Sequence, residues 1–114
     1  MASGRPEPRT NVAKLVPRPA AEADLTDLYH DIAEQSGSDE AAIGYVRRIR
    51  NWCDNLLTFP ESGRARDDLR PGLRVLGFER RVVVAYKVLP SGDVEIGRIF
   101  YGGRNYEALM RDEE

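Results

Sequence analysis

The sequence predicts an α+β domain in which a short N-terminal strand and an antiparallel helical hairpin precede a small antiparallel sheet, with the hairpin covering one sheet face. Three observations predict it. Apolar residues recur by threes and fours between Pro19 and Leu57, the period changes to β-branched runs after Leu73, and the chain is of single-domain size at 114 residues, 41% hydrophobic and 32% charged. The domain is expected to span residues 13–107, between an N-terminal extension, 1–12, and an acidic tail, 108–114.

The extension carries two prolines and a glycine without periodicity, which predicts disorder. Translation is expected to begin downstream of Met1, with Val12 as an alternative start. Ala13-Lys14-Leu15-Val16 forms a short strand closed by Pro17 and Pro19, and its brevity suits a sheet edge. Proline at 19 fits a first helical turn, where no amide partner is lost. Glu22 and Asp24 suit the positive end of the helix dipole, and Leu25, Leu28, Tyr29, Ile32 and Ala33 share a face.

Gln35-Ser36-Gly37-Ser38 breaks that helix. Ser38 caps a second, with Asp39 and Glu40 in its first turn and a stripe of Ala42, Val46, Ile49, Cys53, Leu56 and Leu57. The Phe59–Gly63 stretch ends the helices, and a polar linker is expected from Arg64 to Gly72. Three strands follow. Leu73–Phe78 is the first; Arg81–Leu89, β-branched on both faces, reads as central; a turn at Pro90-Ser91-Gly92-Asp93 leads into Val94–Tyr101. Strict alternation places Val94 and Ile96 on one face and Ile99 on the other, so a bulge at Gly97 is expected to return Ile99 to the core.

Composition narrows the chemistry. One cysteine, Cys53, forms no intramolecular disulfide, and one histidine, His30, builds no zinc site with it, so a cytoplasmic protein without metal or cofactor is expected. No apolar run approaches the roughly 18 residues that a membrane helix needs. Cys53 sits on the apolar stripe and reads as an inert buried thiol, and His30 as a boundary imidazole. The net charge of -2 divides unevenly, with seven basic and nine acidic side chains in residues 1–59 against ten and seven in residues 60–111. Arg64, Arg66, Arg70, Arg74, Arg80, Arg81, Arg98 and Arg104 fall in that second half, interleaved with Tyr86, Tyr101 and Tyr106. Guanidinium groups and aromatic faces suit phosphates, stacked bases and carboxylates, and they also anchor protein interfaces. Half of these arginines are expected to pair with Asp67, Asp68, Glu79 and Glu95. Arg74 and Arg98, which interrupt strands, are the stronger functional candidates. The "GGRNY" segment has no following Gly-Lys-Ser or Gly-Lys-Thr and is a poor phosphate loop.

From Ala13 to Glu107 the chain resembles the RelE/ParE superfamily of bacterial type II toxin-antitoxin toxins. The likeness rests on "LVPRPAAEADLTDLYHDIAEQ", "FPESGR", "LRPGLRVLGFERRVVVAYKV" and "VEIGRIFYGGRN" in that order. It is nearer to ParE, with Tyr101 where many members have histidine and Asn105 in place of an aspartate. The resemblance implies a toxin that binds and inhibits DNA gyrase without chemistry of its own. Its expected partner is a ParD-like antitoxin of ribbon-helix-helix type that carries the sequence-specific DNA reading, which this chain is not expected to perform. It implies target or antitoxin contacts at Arg74, Tyr86, Arg98, Tyr101, Arg104 and Tyr106. The alternatives are RelE-like cutting of messenger RNA on the ribosome, through Arg74, Arg81, Arg98, Tyr101 and Arg104, and a non-toxic interaction module with the same fold.

Overall fold

A computed structural model describes residues 12–102 and 106–112. Strand β1 (Leu15–Pro17) is followed by helices α1 (Pro19–Ser36) and α2 (Asp39–Cys53) and a single turn, α3 (Asn55–Thr58). Strands β2 (Arg64–Ala65), β3 (Arg74–Phe78), β4 (Val82–Val88) and β5 (Val94–Tyr101) come next, and helix α4 (Tyr106–Asp112) closes the described chain. The sheet order is β1-β5-β4-β3-β2, antiparallel except that β1 runs parallel to β5, pairing Leu15 with Val94. The predicted α+β class, hairpin and three antiparallel strands are all present, and the short first strand lies at an edge. The expected extension lies outside the described residues apart from Val12.

Local chemistry explains the hairpin. Gly37 ends α1 in the left-handed region, φ 70°, and its amide donates to the Ala33 carbonyl. One residue later the Ser38 hydroxyl accepts from the Ala41 amide at 3.1 Å, which caps α2. The stripe expected to run unbroken to Leu57 is interrupted at Asp54. Leu56 still reaches the core, through the separate turn α3. Between β3 and β4 the chain reverses through Glu79, Arg80 and Arg81, the first two at positive φ (51° and 65°), and the Arg81 amide donates to the Phe78 carbonyl at 3.2 Å.

The sheet is buried on both sides. Leu25, Leu28, Ile49, Cys53 and Leu56 of the hairpin pack on Val82, Val84, Tyr86, Val94, Ile96 and Ile99. Leu69, Leu73, Val75, Ala85, Phe100 and Met110 form a smaller core on the opposite face. Strand β4 contributes to both, as its uniformly apolar sequence implies. The bulge forms where the alternation argument places it. Tyr86 pairs with Ile96 and Ala85 with Arg98, leaving Gly97 as the extra residue, so Ile99 joins Val94 and Ile96 on the hairpin side.

Two segments differ from expectation. The expected linker at Arg64–Gly72 contains β2 and a tight loop in which Asp67 Oδ1 accepts from the Gly72 amide at 2.8 Å, with Leu69 turned into the second core. In addition, residues assigned to the acidic tail belong to α4, whose Met110 covers that core with Tyr106 and Leu109 beside it. The spacing of Tyr106, Leu109 and Met110 is helical, but a span of seven residues gives a weak signal.

Candidate functional site: a basic cleft on the second sheet face

Beside α4, the second sheet face opens into a cleft of about 430 Å³. Its floor is made of small residues, Ala85 and the bulged Gly97, and its rim carries Arg18, Arg70, Lys87 and Arg98 against one acid, Glu95. Each cation arrives from a different element. Arg18 precedes α1, Arg70 lies in the loop before β3, Lys87 is in β4, and Arg98 follows the bulge in β5. Register determines this convergence. Without the extra residue at Gly97, Arg98 would change faces with Ile99.

Arg98 is held firmly. Its Nε and Nη2 donate to Asp24 Oδ2 and Oδ1 at 2.7 and 3.0 Å, and Asp24 Oδ2 also accepts the Ile99 amide at 2.8 Å. Its guanidinium carbon lies 4.9 Å from the Phe100 ring centroid. The hydrogen bonds to Asp24 raise its pKa and partial burial opposes them, so the group remains a cation. Arg70 donates to the Met110 carbonyl at 3.1 Å, which ties the loop to α4. Arg18 lies 3.5 Å from Glu95 at the exposed edge.

Of the other predicted residues, Tyr86 also lines the cleft, whereas Arg74, Arg81, Tyr101 and Tyr106 do not. Arg74 donates to the Gly63 carbonyl at 2.7 Å and the Glu61 carbonyl at 3.3 Å. Tyr86 is fully buried; its hydroxyl donates to the Pro60 carbonyl at 2.8 Å and accepts the Gly63 amide at 2.9 Å. Arg74 and Tyr86 therefore clamp the Phe59–Gly63 turn from inside, a structural role for both side chains. Tyr106 receives a 2.8 Å bond from Arg66, which also binds Glu107 at 2.6 Å and Asp68 at 2.8 Å, fastening α4 to the loop before β3. Those bonds drive the Arg66 pKa further upward.

Arg81 and Tyr101 lie at the far end of the sheet. They border a shallow depression of about 350 Å³ with Gln35, Tyr45 and Glu79, and the Tyr101 and Tyr45 rings meet edge to face at 6.3 Å. Arg104 lies outside the described residues. His30 is exposed on α1 against Tyr29, and burial pushes the Cys53 thiol up to about 11, which keeps it protonated and inert. Among the described residues no group of three or more His, Cys, Asp or Glu is placed to hold a metal, and no helix is long and apolar enough to cross a membrane.

The model of the family described as ParE toxin of type II toxin-antitoxin system, parDE, matches residues 15–106. The chain belongs to the ParE toxin family. Among ParE relatives, Toxin ParE3 of Caulobacter vibrioides is 37% identical over 87 residues, covering 76% of this chain and 84% of that protein. Toxin ParE1 of Mycobacterium tuberculosis is 30% identical over 83 residues, covering 73% of this chain and 83% of the relative. A solved structure described as a chromosomal ParDE TA system from P. aeruginosa superposes with a TM-score of 0.68 at 26% identity, covering 81% of this chain and 98% of that one. The matched span begins at β1 and ends at the first residue of α4, so it takes in the bulge, the hairpin-side core and all of the second core and the cleft except Met110. Membership in a ParDE-type family implies an antitoxin partner for this ParE toxin.

Lys87 and Arg18 are cleft cations that the sequence does not single out, and Arg70 is visible there only as one of the arginines of the second half. Lys87 stands alone among β-branched residues, and Arg18 precedes the helix. Only the β1/β5 pairing brings Arg18 across the sheet edge, where its amide donates to the Ile96 carbonyl at 2.9 Å.

Proposed function

We propose that this ParE-family toxin acts in the cytoplasm by binding DNA gyrase and inhibiting it, without catalysing a reaction itself, and that a ParD-like antitoxin of ribbon-helix-helix type neutralises it. The observation that carries the reading is the employment of the groups a nuclease would need. Cleavage of RNA requires a base, an acid and cations converging on one phosphate. Here the Tyr86 hydroxyl is committed to Pro60 and Gly63, Arg74 to backbone carbonyls, and Arg98 to Asp24. Tyr101 and Arg81 border a different depression from the cleft. An arrangement of fixed cations over a small-residue floor supports recognition instead.

The test is inducible expression of the chain alone and with the short adjacent reading frame, followed by assays of gyrase-dependent DNA breaks and of messenger RNA integrity. DNA breaks with intact RNA, relieved by the co-expressed partner, are the expected result. Codon-linked RNA cuts would move the protein to the RelE type of action, and unaffected growth would leave it an interaction module.

A further inference from the structure

Phe59 is left in solvent by a turn that the protein holds from inside. It is 64% exposed, and among the described residues no other phenylalanine, tyrosine or tryptophan is exposed. The Ser62 amide donates to the Phe59 carbonyl at 3.1 Å with Pro60 between them, which closes a β-turn. Tyr86 binds the Pro60 carbonyl and the Gly63 amide, and Arg74 binds the Glu61 and Gly63 carbonyls, at 2.7–3.3 Å. A phenyl ring carried outward on so constrained a turn is an anchor whose backbone needs no ordering when it docks. Beside the turn, at the sheet edge formed by β2, lies a shallow depression of about 310 Å³ with Ser62 and Arg64 on its rim. Val75, Gly77 and Val83 line its floor. Val75 and Gly77 share a face of β3, and Val83 lies opposite Gly77 in β4, so the side chain that Gly77 lacks leaves the hollow.

From these features we infer that the Phe59–Gly63 turn and the adjoining depression form a docking surface for a second copy of this chain, related to the first by a two-fold axis. Phe59 of each copy enters the depression of the other. Charge and adjacency commit the surface to self-association. Glu61 is exposed on the turn close to the phenyl ring, and its carboxylate has no partner among the described residues. Arg64 is exposed on the rim of the hollow, where its guanidinium makes a long contact of 3.5 Å with the Tyr106 hydroxyl. One copy therefore carries a ring with an acid and a hollow with a base, all between Phe59 and the strands beside it. An isologous contact sets each Glu61 against the Arg64 of the other copy, so the same pair of charges is satisfied twice across the axis. A foreign protein would have to match ring, hollow, acid and base at once, whereas a second copy does so by symmetry. One ring and its rim make a small interface, so the dimer is weak and depends on concentration. None of the residues lining this depression lines the basic cleft, and the inference depends on neither gyrase nor the antitoxin.

Sedimentation velocity of the full chain over a roughly hundredfold range of concentration tests it. A monomer that gives way to a dimer as concentration rises is the expected result. Phe59→Ser, at an exposed position, keeps the thermal midpoint of the dilute protein and weakens the dimer by roughly thirtyfold, because one substitution removes two anchors. Gly77→Val fills the hollow instead. A Cβ there meets nothing nearer than the Val82 carbonyl oxygen at 3.8 Å, so the strand is kept while the dimer weakens to a similar extent. Glu61→Arg and Arg64→Glu each weaken association by roughly fivefold, and the double variant restores it, which a general change of surface charge would not do. The inference is overturned if the chain sediments as a monomer throughout, if Phe59→Ser and Gly77→Val dimerise as the parent does, or if the double charge variant dimerises no better than the single ones. In a chain that stays monomeric, loss of binding to the co-expressed antitoxin on Phe59→Ser would assign the surface to that protein instead.

Discussion

Removing the Asp24 carboxylate tests the link between the helical hairpin and the cleft. Asp24→Ala deletes three hydrogen bonds at once, two from Arg98 at 2.7 and 3.0 Å and one from the Ile99 amide at 2.8 Å. The Ile99 amide, in a strand whose side chain is buried, then lacks its acceptor at a cost of about 1–3 kcal/mol. The ion pair is 20% exposed on the arginine and 11% on the aspartate. That places its loss between the near-zero value of a surface pair and the several kcal/mol of a fully buried one, at about 1.5–2 kcal/mol. The expected total is about 3–4 kcal/mol, roughly a fifth or more of a small domain's usual stability. In melting temperature this is a fall of roughly 12–25 °C for a chain of this size. Asp24→Asn keeps an acceptor for Ile99 and one contact with Arg98, and is expected to lose only about 1–2 kcal/mol. Urea unfolding with an unchanged m-value measures both. A loss below about 1 kcal/mol for the alanine variant, or equal losses for the two variants, would refute the reasoning.

Other substitutions read further contacts. Gly63→Ala places its methyl 2.6 Å from the Tyr86 hydroxyl and 2.9 Å from the Val75 carbonyl, so urea unfolding should show a loss of more than about 2 kcal/mol. Tyr45→Phe removes a buried hydroxyl that has no hydrogen-bond partner among the described residues and should be neutral or up to about 1 kcal/mol stabilising in the same assay, whereas Tyr86→Phe should cost about 1–3 kcal/mol. Arg80→Gly relieves a non-glycine residue at φ 65° and should raise the melting temperature by several degrees, corresponding to about 1 kcal/mol. The Cys53 thiol rises on folding from 9.0 to about 11, mainly through burial. Because the folded state holds this proton longer, its contribution is complete below pH 9 and is lost as pH rises through 11, so stability should fall across that interval and Cys53→Ala should flatten the fall.

The fold was legible wherever periodicity and burial coincide. The Gly37 and Ser38 boundary, the central position of Val82–Val88 and the bulge at Gly97 follow from spacing, capping chemistry and the need to keep Ile99 with Val94 and Ile96. Pairing of β1 with β5 was not legible, because strand partners far apart in sequence leave no local mark on three residues such as Leu15–Pro17. Helix α4 and the turn to Leu69 were missed for a related reason: each is short, polar along much of its length, and stabilised by tertiary packing rather than by propensity. The functional surface was legible only as composition. An excess of arginine between residues 60 and 111 is visible in the chain, but which arginines face solvent and which hold carbonyls is decided by contacts across the sheet.

Arginines inside strands attracted functional weight because a charge among apolar residues looks costly. The structure resolves that cost differently at Arg74 and Arg98. At Arg74 two backbone carbonyls satisfy the guanidinium, and the residue becomes part of the turn that it secures. At Arg98 a carboxylate from α1 serves the same end, yet the side chain still borders the cleft, so structural and recognition roles coexist in one group. This follows from the donor geometry of arginine, whose five N–H groups exceed what one carboxylate can accept. A lysine at 98 would lose the two-point contact with Asp24 and with it the fixed direction of the charge. The bulge at Gly97, the Asp24 bond to the Ile99 amide and the placement of Arg98 therefore act as one unit: the extra residue sets the face, the carboxylate fixes the angle, and the cleft acquires a cation that does not have to be ordered when a ligand arrives.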